Sequence, residues 1–225
     1  MSAAWLLRKD WAARRIEDEN RRGGWFLLIF ALVWNGIAWT VTLAIWRGVT
    51  PRGPEHYFVV LFPLIGALVF FGAIHELLRR QRYGVATFEL ATLPAPLGRV
   101  LAGHVRVGRG MTPNREITLS LRAIHRTVTR TGKSTSTKEE ILWEDRRTLP
   151  GSVPEAEGVA IPVAIPIPRN APETSSSNPR DQILWRLDLS SAAPGVDFLA
   201  RFEVPVFYTG ESDVPLTPEE LARFS

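Results

Sequence analysis

The chain has 225 residues, 45% of them hydrophobic, a composition that excludes a disordered or collagen-like polymer. It contains no cysteine, which removes a disulfide framework and a thiolate metal site from consideration while leaving the redox compartment open. Lysine and arginine outnumber aspartate and glutamate by 27 to 23, but 19 basic and 17 acidic residues follow Leu78; that net of +2 is an ordinary soluble surface and gives no ground for a nucleic-acid partner.

Residues 1–24 form a basic N-terminal segment in which Trp5, Leu7, Trp11 and Ile16 stand among many charges. It reads either as an amphipathic helix lying on an anionic leaflet or as a disordered basic tail. Residues 25–82 form a helical hairpin. Its two apolar runs, Trp25 to Trp46 and Tyr57 to Leu78, are separated by the polar stretch Arg47 to His56. About 20 residues at 1.5 Å each cross a hydrocarbon core of about 30 Å, so both runs have the length of a transmembrane span. The first carries no charge and is bounded by tryptophans, as interfacial anchors are.

Basic residues flank the spans unevenly. Arg8, Lys9, Arg14, Arg15, Arg21 and Arg22 precede the first, Arg79, Arg80 and Arg82 follow the second, and only Arg47 and Arg52 lie between. Cationic flanks are retained in the cytoplasm, so both termini and everything after the second span are expected inside, with the short loop outside. Within the spans, Asn35, Gly36, Thr40, Gly66 and Gly72 are the expected helix–helix contacts, with Asn35 bonding to the partner helix or to a second copy of the chain. Ionisable groups appear only at His75 and Glu76 near the inner end of the second span, which argues against a proton relay or transport path.

Residues 83–208 change to a period of two, the pattern of half-buried strands. Strands are expected over Gly84 to Leu90, Val100 to Val107, Glu116 to Val128, Glu139 to Arg147, Val159 to Ile167, Gln182 to Ser190 and Phe198 to Tyr208. Seven short strands so spaced indicate an antiparallel β-sandwich. Ile183, Trp185, Leu187 and Leu189, with Phe198, Ala200, Phe202, Val204 and Val206, are the expected core. The last two strands should form a hairpin through Ala192-Ala193-Pro194-Gly195. The prolines of Ile161-Pro162-Val163-Ala164-Ile165-Pro166-Ile167-Pro168 imply that this strand lies at a sheet edge or is interrupted, and such an edge, if partly open, is a place where a partner peptide could pair.

Arg115, Arg122, Arg126, Arg130 and Lys133 make a basic row on and beyond one long strand. It is either a contact for lipid headgroups or an acidic partner, or simply a solvated strand face. Asn170 to Asp181 reads as a mobile polar connection. In the tail, residues 209–225, Thr217-Pro218-Glu219-Glu220 should start a short helix.

Strings that imitate catalytic motifs fail on inspection. Thr131-Gly132-Lys133-Ser134 ends like a phosphate loop, but the earlier glycine position holds Thr127 and no helix follows. His75-Glu76-Leu77-Leu78 has Arg79 where a zinc protease helix needs its second histidine. No cofactor, metal site or small-molecule substrate is expected, and the chain is not read as an enzyme.

The succession Gly103-His104-Val105, Gly132-Lys133-Ser134 before Ile141-Leu142-Trp143, Ile165-Pro166-Ile167-Pro168, and Ile183-Leu184-Trp185-Arg186-Leu187 before Phe202-Glu203-Val204-Pro205-Val206 resembles an arrestin-type β-sandwich. With its two spans and the Arg82-Tyr83-Gly84 junction, the chain is similar to bacterial inner-membrane proteins of a domain-of-unknown-function family. The resemblance implies binding rather than catalysis. The expected roles are a membrane-tethered cytoplasmic binding or scaffolding module or, alternatively, an accessory subunit packing through its spans, with the bilayer and a protein partner or second copy as its contacts. An enzyme or solute-binding domain is a third reading.

Overall fold

The computed structural model describes residues 4–19, 23–48, 55–112, 115–132, 134–156 and 158–214. One unit combines Met1–Glu19 with Arg82–Ser225, and the other is Asn20–Gln81.

The N-terminal segment departs from expectation. A 3-10 turn at Ala4–Leu7 and the single helical turn α1 (Lys9–Ala12) lead into a strand, β1 (Arg15–Glu17). Trp11 is 1% and Ile16 3% exposed, and both belong to the sandwich core. Neither a surface helix nor a loose tail, the segment is a strap folded into the β unit. Its apolar residues are spent on protein rather than lipid because the Trp11 indole donates to the Glu203 carbonyl at 3.0 Å and Ile16 pairs with Phe88 in the ladder.

Helices α2 (Gly23–Gly48) and α3 (Glu55–Tyr83) follow. Both are long and apolar enough to cross a membrane. Pro63 lies inside α3, where it withdraws one i to i−4 donor.

The strands after α3 are β2 (Thr87–Leu90), β3 (Ala95–Pro96), β4 (Val100–Gly108), β5 (Ile117–Thr131), β6 (Ser134–Leu149), β7 (Val153–Glu155), β8 (Gly158–Pro166), β9 (Ser175–Asn178), β10 (Asp181–Ser191), β11 (Phe198–Val204) and β12 (Val206–Phe207). One sheet runs β1-β2-β4-β8-β7; the other runs β11-β10-β5-β6, with β9 added to β10. β3 and β12 form a separate parallel pair. The antiparallel sandwich read from the sequence is therefore present, and all seven expected strands form. The last is broken at Pro205, so Val206 and Phe207 leave the sheet to pair with β3.

The inner faces meet as the alternation requires. Trp185, Leu187 and Leu189 stand opposite Val204, Phe202 and Ala200, and all are fully buried. Phe88 of the first sheet meets Phe202 of the second with ring centroids 5.8 Å apart. Gly195 (φ +87°) turns the β10–β11 hairpin, and the Asp197 carboxylate accepts from the Ala193 N–H at 2.9 Å. Along β8, β7 covers only Gly158 to Ala160, leaving an open edge from Ile161 onward. Ile167 donates to Arg99 on the β4 side at 2.8 Å. By alternation Pro162 and Pro166 therefore present their missing donors to the open side, where no ladder bond is lost.

Asn170 to Asp181 is more tied down than the polar sequence suggested. β9 pairs with β10, the Thr174 N–H donates to Val206 O at 2.8 Å, and the Trp185 indole donates to Pro172 O at 2.9 Å. Thr217 to Glu220, the expected terminal helix, lies outside the described residues.

The strap makes a first prediction. Trp11→Ala removes a fully buried indole and its hydrogen bond and should destabilise the protein by about 3–5 kcal/mol. Leu7→Ala, at a residue 78% exposed, should change stability by less than about 0.5 kcal/mol. Chemical denaturation followed by tryptophan fluorescence and circular dichroism checks the contrast. Equal effects would remove the strap from the core.

Candidate interaction surfaces

The second sheet has a charged outer face. Register places Glu203, Arg186, Arg122 and Glu144 side by side on β11, β10, β5 and β6, with Arg201, Asp188, Ser120 and Arg146 on the next rung. Asp188 takes the Arg201 Nε–H at 2.8 Å and also pairs with Arg122. Glu139 receives Arg186 through both guanidinium nitrogens at 3.1 and 3.3 Å and Arg126 at 2.9 Å. Ser120 donates to Glu144 at 2.8 Å, and Arg8 from the strap pairs with Glu203.

The expected basic row is therefore dispersed. Arg122 and Arg126 are neutralised by carboxylates from other strands, so they are not a free cationic face. Arg115 precedes β5 and donates to the Ala192 carbonyl at 2.8 Å. Arg130 alone remains exposed with no acidic partner among the described residues. Lys133 lies outside them.

These contacts shift titrations in opposite directions. The hydrogen bond from Arg186 leads in holding the Glu139 carboxyl below its usual range, and that from Ser120 does the same for Glu144. Desolvation, then Glu203, raises Glu19 beside the same face. The hydrogen bond from Arg201 to Asp188 leads in raising the guanidinium of Arg201.

In the helical unit, the Asn35 amide donates to Ala31 O of its own helix at 2.7 Å, not across the pair. Its role between helices is steric: a Cβ placed on Gly66 would lie 2.6 Å from Asn35 Oδ1 and 2.8 Å from the Trp34 ring. Only glycine permits that approach. The cross-helix hydrogen bond comes from a residue the sequence reading passed over, with the Trp34 indole donating to Phe62 O at 3.1 Å, immediately before Pro63. A tryptophan in mid-span one turn from a proline on the facing helix was the available signal. Thr40 bonds to Gly36 O of its own helix at 2.7 Å, and a Cβ placed on Gly36 or Gly72 would meet nothing within 4 Å. Of the expected contacts, only Asn35 and Gly66 meet. Beside them an apolar cavity of about 300 Å³ opens among Trp34, Ile37, Val41, Ile45, Val59 and Phe62.

The β5–β6 hairpin is the other prominent surface. β10 accompanies β5 only as far as Asp181 opposite Thr127, while β5 and β6 continue pairing to Thr131 and Ser134. Residues 129–132 and 134–142 are exposed. His75 and His104 are exposed and His125 contacts Asp181; no group of three metal-ligating side chains gathers among the described residues.

Fold and surfaces together define a β-sandwich carrying a helical hairpin within one of its strand connections. No protein-family model matches the chain, and no curated protein does. Among solved structures, the crystal structure of Spo0M, a sporulation control protein from Bacillus subtilis, is similar at a TM-score of 0.38 and 19% identity, over 55% of this chain and 49% of that one. The chain thus spans about half the length of that structure.

Two predictions follow from these contacts. The Glu139 carboxyl is depressed in the folded state, so its stabilising contribution is full above the unfolded value of about 4.3 and is lost as pH falls through the lower folded value. Glu139→Gln should shrink the loss of denaturant midpoint between about pH 7 and pH 2 relative to the parent chain. An unchanged acid limb would contradict the pairing. In the hairpin, Gly66→Leu should cost about 1–3 kcal/mol through overpacking and lower the melting temperature in detergent, whereas Gly72→Leu should leave it unchanged.

Proposed function

We propose that the protein is a membrane-anchored binding or scaffolding module, whose helices cross the bilayer as a hairpin and whose sandwich holds a partner on the cytoplasmic side. The observation that carries this reading is the hairpin itself. Only 17% of either apolar window is buried, and side chains such as Phe26, Leu68 and Phe71 are 69% or more exposed. A soluble protein does not leave such a surface in water.

The splice supports the orientation. β1 precedes the helices and β2 follows them, yet the two pair as neighbours, so the strap and the sandwich must share one side of any membrane the hairpin crosses. The basic flanks favour the cytoplasm as that side. Binding rather than catalysis is supported by the exposed, largely polar β5–β6 hairpin, and the arrestin-type resemblance of the strand succession agrees with it. A second reading, an accessory subunit packing through its spans, is favoured by the apolar cavity beside Phe62 and the open space around Gly36 and Gly72.

The cysteine-free chain permits a direct test. Thr50→Cys in the interhelical stretch should react with a membrane-impermeant maleimide in intact cells, and Ser136→Cys should react only after permeabilisation. The reverse pattern would overturn the cytoplasmic assignment. Extraction of the protein by carbonate without detergent would overturn the anchor.

A further inference from the structure

The β5–β6 extension is an arm with its own chemistry. Past the Asp181–Thr127 pair it continues for four ladder pairs, Val128 with Thr137, Thr129 with Ser136, Arg130 with Thr135 and Thr131 with Ser134, and Gly132 (φ +60°) turns it. An isolated two-stranded ribbon is marginal in water. The sequence nonetheless supplies strand-forming threonines and a valine throughout rather than closing the hairpin early.

Its charge is one-sided. Between Thr127 and Lys138 the sequence has Arg130, Lys133 and Lys138 and no acidic residue. Register places Thr127, Thr129, Thr131, Ser134, Ser136 and Lys138 on one face, with Val128, Arg130, Thr135 and Thr137 on the other. Lys138 has one loose contact, to Glu140 at 3.5 Å. The sheet below the arm is different, because its arginines are neutralised by Asp188 and Glu139. On the arm Arg130 has no acidic partner among the described residues and Lys138 only the loose one, and both stand beside hydroxyl groups able to donate to carboxylates.

The arm leaves the sandwich at the far end of β5. β5 starts beside Ser190, near the edge-on contact of Phe198 with Tyr83 at 5.4 Å, and runs about 30 Å, at about 3.3 Å per residue, before the arm begins.

We propose that the β5–β6 arm is the docking element for an acidic, extended protein segment, which pairs along the arm and sets carboxylates on both of its faces, against Arg130 on one and Lys138 on the other. This rests on the binding-module reading and assigns it a surface and a partner chemistry. Attraction between exposed charges governs association rate and salt dependence, so binding should weaken steeply as salt is raised.

The test uses the full chain in zwitterionic nanodiscs and a fluorescent peptide of Glu-Glu-Val-Val repeats about ten residues long, the size of a typical added strand, which presents carboxylates on both faces. Saturable binding is expected, reduced about tenfold or more by the double charge reversal Arg130→Glu with Lys138→Glu, and absent for the same peptide with Lys in place of Glu. Thr135→Pro, which obstructs strand pairing without altering charge, should also weaken it. Both sites are exposed, and an unchanged circular dichroism melt verifies folding. Failure of the acidic peptide to bind, or binding indifferent to the charge reversal, overturns the proposal. So does association through the arm with phosphatidylglycerol vesicles alone, which would make it a lipid contact. Membrane fractionation of the same variants reads the anchor separately, so loss of the arm function and failure of the anchored-module reading give different results.

Discussion

Asp18 donates its backbone N–H to the carbonyl of Ala86 at 3.1 Å, and the architecture depends on that closure. Between the two residues lies the whole helical hairpin, yet they continue one antiparallel ladder in which Glu17 stands opposite Thr87 and Arg15 opposite Glu89. The helices are therefore an insertion within a strand connection, not a leader placed before a domain. Antiparallel helices bring the chain back near its departure point, which reduces the entropy that an unstructured connection of that length would cost. The order of synthesis carries a consequence: β1 emerges first, but its neighbours β2 and β11 exist only after both helices have been made. The sandwich cannot close around Trp11 and Ile16 until the hairpin has returned.

Closure through the strap also determines how charge is distributed. Asp18 accepts the Arg201 N–H at 3.0 Å and Arg8 pairs with Glu203, so the strap engages β11 as well as β2. The outer face of the second sheet then carries alternating signs across four strands. Arg186 and Asp188 are 9% and 8% exposed, a degree of burial that is costly for either charge alone and tolerable because each has opposite charges in contact. Such a lattice holds its own members in register and presents little net field outward. The lattice ends with β10, and on the part of β5 and β6 beyond it Arg130 has no acidic partner among the described residues.

The elements legible in the sequence were those whose burial repeats over many residues. Leu119, Leu121 and Ala123, or Trp185, Leu187 and Leu189, fix the phase of a strand unaided because one face is packed throughout. β1, β3, β7, β9 and β12 have two to four residues each, too few for a period, and exist because a neighbour supplies the ladder. The strap was misread for a related reason: Trp11 and Ile16 among arginines have the composition of a lipid-surface helix, and the pockets that receive them are built by residues more than 70 positions later. The basic row failed similarly. Arg122 and Arg126 follow one another along a strand, while the acids that neutralise them, Asp188 and Glu139, come from β10 and β6. Spacing along a single strand identifies a face; it does not identify the charges brought beside it. Gly66 was legible because a glycine opposite a mid-span asparagine implies close approach, although Asn35 directs its hydrogen bond back along its own helix.

The edges of the two sheets narrow where a partner can add a strand. β1 occupies the free side of β2 and engages β11 through Asp18, which closes one flank of the sandwich. On the opposite flank β7 covers the start of β8, and beyond it Pro162 and Pro166 face outward, where a pairing strand would find donors missing. β6 is the longest edge, and it is blunted differently. A bulge at Leu142 interrupts its register with β5. Glu144 with Arg146 at 3.1 Å and Asp145 with Arg147 at 3.0 Å tie up its charges along the strand itself. An added strand crossing the bulge would have its side chains put out of phase with one face or the other. The bulge lies on the sandwich side of Ile141, so the β6 segment from Ser134 to Glu140 escapes it. That segment forms one side of the arm, and there regular register and open backbone groups coincide opposite Arg130, which has no acidic partner among the described residues.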